Sequence, residues 1–290
     1  MKKNNMPPIV ALHYVSDDPG LDSLKPWVVT HASYNMLLDY LEDNGYTTIG
    51  FEDVKLGNVP KKSVILTFDD CAKQLLDYAI PELVRRNMKA VFYMPTARID
   101  GINHWDAKHG LPELGIMNEK DLQDIVAVGM EVGSHAHYHI MLEEHSGNRV
   151  KEELSKSKAI LEKVLNRPVI SIAYPFSSVP SDYNVLVKAA GYDFGIAVVA
   201  NKETRYALRR WIFDDTDTID SIKWKMSALY GLYRPFKDNY DFYKTALARG
   251  IYQQYSRLKK MLLNKALVLY ALDSAIGIDA MDIAACCEVI

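Results

Sequence analysis

Short apolar runs alternate with segments of helical periodicity along the first two thirds of the chain. The apolar runs have the length of buried strands, and they are 9–13, 63–68, 90–94, 130–134, 169–173 and 194–199. The segments with apolar residues at helical spacing are 33–44, 73–87, 119–128, 149–165 and 182–190. This alternation predicts an α/β fold of parallel strands joined by crossover helices.

The pattern changes beyond about Asp217, where tyrosines and phenylalanines recur among helical segments. We therefore expect an α/β domain over residues 1–216 and a mainly helical C-terminal extension over residues 217–290. Two interpretations of the extension stay open. Its aromatic side chains cover helices that pack on the first domain, or they join the basic residues of Arg249–Lys265 in a peripheral surface for a membrane or a protein partner.

Composition narrows the function classes. With 290 residues, of which 49% are hydrophobic, the chain can bury a sizeable core, and a net charge of −3 argues against a nucleic-acid binder. The start lacks the apolar region of an export signal, and no apolar stretch approaches the ~20 residues of a membrane span. Cys71, Cys286 and Cys287 form no disulfide framework, so we expect a cytoplasmic location.

Polar side chains follow three of the predicted strands at the point where each strand ends. They are Asp69-Asp70, His135-Ala-His137-Tyr-His139 and the turn Tyr174-Pro175-Phe176. Because α/β folds carry their chemistry at the carboxyl ends of parallel strands, we expect these side chains to lie close together. Paired carboxylates with clustered imidazoles indicate a hydrolytic metal site.

These segments resemble the motifs of the polysaccharide deacetylases, the NodB-homology proteins of carbohydrate esterase family 4. Thr67-Phe-Asp-Asp70 resembles the family's Thr-Phe-Asp-Asp-Gly motif, and His135-Ala-His-Tyr-His139 resembles its His-(Ser/Thr)-x-x-His motif. Ala173-Tyr-Pro-Phe176 is similar to its Arg-x-Pro-Tyr turn. The three motifs stand in the family's order, and the resemblance covers roughly residues 8–200.

The resemblance implies a distorted (β/α)7-type barrel around a divalent metal, most commonly Zn²⁺, with Co²⁺, Ni²⁺ or Mn²⁺ as alternatives. It makes Asp70, His135 and His139 the metal ligands and Asp69 the general base. The chemistry of the residues agrees, since two imidazoles and a carboxylate suit Zn²⁺ and leave room for water and a substrate oxygen. The backbone N–H of Phe176 is a candidate oxyanion donor.

Amide cleavage also needs an acid that protonates the departing amine. Common family members take it from a Leu-x-His motif near the C-terminus, but the last histidine of this chain is His145. His13 instead follows the first strand-like run, which resembles the circularly permuted branch that includes the biofilm poly-N-acetylglucosamine deacetylases. We therefore assign His13 as the general acid, and we expect Tyr174, Pro175 and Trp211 to contribute to substrate binding, with core packing as the alternative for Trp211.

Three residues depart from the family pattern. Cys71 replaces a glycine, Ala136 replaces a serine or threonine, and Ala173 stands where many members have an arginine that orients the base. A thiol beside a metal is expected to have a lowered pKa and to oxidise easily. The alternative is that Cys71 only tolerates a backbone conformation in which glycine is usual, and points away from the metal.

The remaining histidines carry weaker expectations. His137 is expected behind the ligands or at the surface, His145 in solvent, and His104 and His109 in a long loop that serves as an ordinary connection or as a substrate-binding wall. The sequence thus predicts a metal-dependent N-deacetylase that acts on an N-acetylated amino sugar and releases acetate. Its alternatives are a hydrolase of a non-sugar amide and a catalytically impaired binding protein.

Overall fold

The computed structural model describes residues 6–108, 110–200, 202–227 and 229–235. These residues belong to one compact unit that runs to Pro235. His109, Cys286, Cys287 and the extension beyond residue 235, including its proposed membrane or partner surface, lie outside the described residues. The division of the chain at residues 216 and 217 therefore stays a prediction.

The core of the fold is a sheet of parallel strands. The strands are β1 (Ile9–Leu12), β2 (Tyr14–Val15), β3 (Val28–Val29), β4 (Thr47–Thr48), β5 (Ser63–Asp69), β6 (Val91–Met94), β7 (Glu131–Ser134), β8 (Ser171–Ala173), β9 (Phe194–Ala197), β10 (Leu208–Arg209) and β11 (Trp211–Ile212). The main sheet has the order β10-β9-β8-β7-β6-β5-β1-β11, with β4 paired to β5, while β2 and β3 pair separately. All these pairings are parallel.

One segment closes the sheet into a barrel. β10 pairs with β9 at one edge, and β11, which follows after the single residue Arg210, pairs with β1 at the other edge. The sheet is therefore nearly closed, which confirms the predicted barrel of parallel strands. Sequence periodicity does not reveal this closing segment, because two strands of two residues are too short to show a period.

Helices connect the strands. They are α1 (His31–Asp43), α2 (Phe51–Leu56), α3 (Ala79–Arg85), α4 (His104–Ala107), α5 (Glu119–Ala127), α6 (Gly147–Leu165), α7 (Tyr183–Ala189) and α8 (Ile219–Lys225), and residues 229–235 are also helical. The helix predicted over 73–87 is instead a 3₁₀ turn, Lys73–Leu76, followed by α3. Pro81 explains the break, because proline is accommodated in a first helical turn but not in a helix interior. Among the described helices, none combines the length and the apolar character that crossing a membrane requires.

Strand β5 places polar side chains on one of its two buried faces, near its carboxyl end. Its side chains alternate between two faces, so Val64, Leu66 and Phe68 pack in one buried cluster and Ile65 packs in another. Thr67 and Asp69 share the face of Ile65, and both are buried. The face of Ile65 therefore changes from apolar to charged toward the carboxyl end of the strand.

Candidate active site

The predicted site residues stand directly after strands at the carboxyl end of the barrel. His13 follows β1, Asp70 follows β5, His135 follows β7 and Tyr174 follows β8. Asp70 has a backbone φ of 70°, a left-handed conformation that turns the chain sharply away from the strand. Parallel strands bring these turns to one end of the barrel, where their side chains can meet.

Asp70, His135 and His139 form one buried cluster. Their candidate ligand atoms all lie within 4.8 Å of one another. Oδ1 of Asp70 is 3.7 Å from Nε2 of His135 and 3.3 Å from Nε2 of His139. This oxygen is buried and has no hydrogen-bond partner among the described residues. A buried carboxylate oxygen of this kind is costly unless a cation or a donor meets it.

The imidazoles are in the form that a metal ligand needs. Nδ1 of His135 lies 2.8 Å from the carbonyl oxygen of Ala173. A carbonyl only accepts, so Nδ1 carries the proton and Nε2 presents a free lone pair toward Asp70. Burial lowers the pKa of His135, and burial lowers the pKa of His139 to about 3. Both rings are therefore neutral near pH 7, and the donor set fits a divalent metal.

Tyr14 supports the carboxylate ligand and was missed by the sequence analysis. Its buried hydroxyl donates to Oδ2 of Asp70 at 3.1 Å. This bond fixes the second carboxylate oxygen and leaves Oδ1 facing the imidazoles. The available signal was the position of Tyr14 directly after His13, although Tyr14 can contact Asp70 only once β1 is paired with β5.

Arg210 is the second residue that the sequence analysis missed. Its Nη1 donates to Oδ1 of Asp69 at 2.7 Å and its Nη2 donates to Oδ2, so the guanidinium binds the carboxylate with two parallel bonds. Burial alone would raise the pKa of Asp69, but the Arg210 guanidinium holds this pKa well below its usual range. The signal was the missing arginine at Ala173, but the closing segment of the barrel supplies the side chain instead.

His13 lies beside the proposed base. Its Nε2 is 3.7 Å from Oδ2 of Asp69, and its side chain is 17% exposed. Burial lowers the pKa of His13, and the nearby carboxylates of Asp69 and Asp70 oppose that shift. The structure thus brings His13 to the predicted cluster and leaves part of its ring open to a ligand.

Two aromatic rings flank His139. The ring of Trp105 lies 4.0 Å from the imidazole between centroids, and the ring of Phe176 lies 4.6 Å from it in an edge-on arrangement. Phe176 has φ 55° and is 51% exposed, so its turn stands beside the cluster and faces solvent. Trp105 comes from the long loop predicted as a binding wall, in which His104 is exposed.

The other predicted binding residues lie in the barrel wall. Tyr174 is buried and its hydroxyl donates to the carbonyl of Tyr206 at 2.6 Å. Trp211 is buried in β11, where the ammonium of Lys225 lies 5.1 Å from its ring centroid. Pro175 is buried within the turn that presents Phe176. The structure therefore gives Tyr174 and Trp211 packing contacts and does not bring them to the histidines.

Cys71 lies in the interior of the fold, without access to solvent. It is fully buried in the apolar core, and burial raises its pKa well above the usual value, with Asp70 and Asp69 adding to the shift. Its φ of 52° is a conformation that glycine adopts more easily. The structure favours the alternative, in which Cys71 occupies a glycine-like backbone position and remains a protonated, inert thiol.

Two further histidines have separate environments. His137 is buried, with Nδ1 2.8 Å from the hydroxyl of Thr96, and burial lowers its pKa to about 4. It belongs behind the ligands and not at the surface. His145 is exposed, as expected.

Comparisons with known proteins agree with the motifs. The family model described as polysaccharide deacetylase matches residues 56–195. The chain is similar to the poly-β-1,6-N-acetyl-D-glucosamine N-deacetylase of Staphylococcus aureus, with 23% identity over 210 residues that cover 66% of this chain and 70% of the relative. Residues 56–195 thus match the polysaccharide deacetylase family, and the resemblance read from the motifs is confirmed.

Solved structures share the fold. The Streptococcus pyogenes deacetylase PplD, in complex with acetate, superposes with a TM-score of 0.66 at 23% identity, covering 76% of this chain and 98% of that one. IcaB from Ammonifex degensii superposes with a TM-score of 0.64 at 17% identity, covering 76% of this chain and 97% of that one. At these identities the similarity establishes the barrel fold alone.

Proposed function

We propose that this protein is a metal-dependent N-deacetylase that removes acetyl groups from an N-acetylated amino sugar of a glycan and releases acetate. The observation that carries the proposal is the buried Oδ1 of Asp70, which faces Nε2 of His135 and of His139 and has no hydrogen-bond partner among the described residues. The S. aureus relative, whose name specifies poly-β-1,6-N-acetyl-D-glucosamine, suggests the substrate class.

Asp70, His135 and His139 would hold the metal. Two neutral imidazoles and one carboxylate form a common donor set for Zn²⁺, and Co²⁺, Ni²⁺ or Mn²⁺ can use the same ligands. A bound ion of this type polarises an amide carbonyl and lowers the pKa of water. Tyr14 keeps the Asp70 carboxylate oriented through the bond to Oδ2.

Asp69 is suited to the role of general base. The ion pair with Arg210 keeps its carboxylate ionised near neutral pH, so it can accept a proton from the attacking water. The two guanidinium bonds also hold the carboxylate in one orientation. The same ion pair lowers the pKa of Asp69, so its carboxylate is a weaker base than a free aspartate. Its proposed contribution to proton transfer therefore depends on its position beside the water.

His13 is suited to deliver a proton to the departing amine. Its Nε2 lies 3.7 Å from Oδ2 of Asp69, so the group that takes the proton and the group that must supply one are neighbours. Its partly exposed ring can reach a substrate nitrogen. The backbone N–H of Phe176, on the turn beside His139, is the proposed oxyanion donor, and its exposed ring offers an apolar surface to a sugar.

The test combines metal analysis with acetate release. Purified protein is loaded with Zn²⁺, and acetate is measured from a β-1,6-linked N-acetylglucosamine oligomer and from a simple non-sugar acetamide. We expect stoichiometric metal, acetate from the sugar alone, and loss of both metal and acetate release after chelation. Release from the acetamide at an equal or higher rate would favour the non-sugar hydrolase. Bound metal without acetate from any N-acetylated sugar would contradict the proposed activity.

A further inference from the structure

The turn between the two candidate histidine ligands has a strained backbone. Ala136 has φ 58° and His139 has φ 56°, both in the left-handed region that residues with a Cβ avoid. This conformation directs Nε2 of both His135 and His139 toward Asp70. A strained turn keeps such a conformation only where surrounding groups hold it.

A buried carboxylate from helix α6 contacts this turn. Glu153 is 1% exposed, and its Oε2 accepts the backbone N–H of His137 at 3.0 Å and that of Tyr138 at 2.8 Å. Its Oε1 faces Nη2 of Arg149 at 2.8 Å. The two N–H groups belong to residues that lie between the ligands, so the charge of Glu153 is directed at the backbone of the ligand turn.

A second contact from α6 supports the same turn. The hydroxyl of Ser157 lies 2.7 Å from that of Ser134, and Ser134 Oγ accepts the backbone N–H of Ala136 at 3.1 Å. Glu153 and Ser157 are four residues apart and therefore stand on one face of the helix. Helix α6 thus contacts the backbone of three consecutive residues, Ala136–Tyr138, directly or through Ser134.

We propose that Glu153 is a positioning residue of the metal centre, whose buried carboxylate holds the 136–138 backbone in the conformation that aims His135 and His139 at Asp70. The inference rests on the proposed metal site. A carboxylate that accepts two backbone N–H bonds forms stronger hydrogen bonds than a neutral acceptor. The contacts that the structure gives Glu153 are with the backbone of the turn and with Arg149, so we infer that it acts through the turn.

The experiment compares Glu153→Gln with Glu152→Gln. Glu152 is the matched control because it is exposed, lies on the same helix and also contacts Arg149, at 2.9 Å. Zinc affinity is measured by competition with a chromophoric chelator, and the melting temperature of each metal-free protein is recorded. We expect Glu153→Gln to weaken zinc binding by about 10- to 100-fold, the usual effect of losing a group that orients metal ligands, and Glu152→Gln to leave it unchanged.

Each outcome decides the inference. Weaker zinc binding by folded Glu153→Gln supports the positioning role, whereas a lower melting temperature with wild-type zinc affinity would assign Glu153 to stability alone and overturn it. If Glu153→Gln does not fold, Glu153→Asp is decisive by the same criterion, because the charge is kept but the shorter side chain reaches the two N–H groups poorly. Absence of zinc binding by the wild type would instead remove the proposed metal site, and this inference with it.

Discussion

Two carboxyl groups at opposite ends of the barrel have pKa values that shift in opposite directions, although burial acts on both. Glu131 begins β7 at the amino end, where burial raises its pKa to about 7 against a weaker opposing effect of the Glu52 backbone N–H. Asp69 ends β5 at the carboxyl end, where the Arg210 guanidinium overcomes burial and lowers its pKa. Desolvation acts on both groups, so the partner decides the charge.

The two carboxyl groups differ in their partners: Glu131 is met by a backbone N–H, and Asp69 by a guanidinium. Oε2 of Glu131 accepts the N–H of Glu52 at the start of α2, while the guanidinium of Arg167 pairs with the Glu52 side chain. Glu131 can therefore satisfy its environment as a neutral acid. Asp69 is kept as an anion by Arg210 beside neutral imidazoles, which suits the general-base role proposed for it.

The largest effect is expected from His135→Ala, which tests whether the carboxyl end is a metal site at all. Removing one of three ligands should abolish both bound metal and acetate release, as measured by elemental analysis and an acetate assay. The exposed His145 provides the control, and His145→Ala should leave both unchanged. Near-stoichiometric metal in purified His135→Ala would show that the ligand assignment is wrong.

The next effect concerns proton transfer. Asp69→Asn and His13→Gln, each made alone, should retain zinc but reduce turnover by about 10²- to 10⁴-fold, the usual contribution of a positioned acid or base. Steady-state kinetics with zinc content measured on the same samples separates turnover from metal loss. Wild-type turnover in His13→Gln would rule out His13 as the acid.

Arg210→Met tests whether the ion pair maintains the charge of Asp69. Removing one partner of a buried pair leaves the other uncompensated, which should lower the free energy of unfolding by about 3–5 kcal/mol. Urea denaturation at pH 7 measures it. The exposed pair of Arg205 with Asp193 is the control, and Arg205→Met should cost less than about 1 kcal/mol. A cost for Arg210→Met as small as that of the control would mean that Asp69 is not held by this ion pair.

Glu131→Gln tests whether the raised pKa of Glu131, at the amino end of the barrel, makes stability depend on pH. The folded-state pKa of about 7 lies above the ordinary 4.5, so the folded protein binds more protons than the unfolded chain between these values. Stability should therefore fall as pH rises from 4.5 through 7, by at most about 3.5 kcal/mol from this group at about 1.4 kcal/mol per unit. Urea denaturation across pH 4–8 should show this slope in the wild type and lose it in Glu131→Gln. An unchanged slope would mean that another group is responsible.

The smallest effect is expected at Cys71, where burial without a cationic partner should keep the thiol neutral. In a Cys286→Ser, Cys287→Ser background, the folded protein should not react with a thiol reagent until denaturant is added. Mild peroxide should leave acetate release unchanged. Fast labelling of the folded protein would restore the redox interpretation.

The order of residues along the chain was enough to predict which strands end in clusters of polar side chains. Asp69 and Asp70 end one apolar run and His135 to His139 follow another, so periodicity was enough to predict parallel strands with these groups at their ends. The resemblance to the deacetylase motifs supplied the barrel and the grouping of Asp70, His135 and His139 that the structure shows. These predictions succeeded because each depends on residues that are neighbours in the chain. Parallel pairing then places strand ends at one edge.

The partners that set the charge of Asp69 and the orientation of Asp70 become visible only in the folded barrel. Arg210 reaches Asp69 across 141 positions of the chain, because two strands too short to be recognised close the barrel around that residue. Tyr14 reaches Asp70 through strand pairing, and Cys71 is withdrawn from solvent by packing that a motif does not report. Hydrogen-bond partners and desolvation are properties of the packed barrel, so no local pattern of residues encodes them.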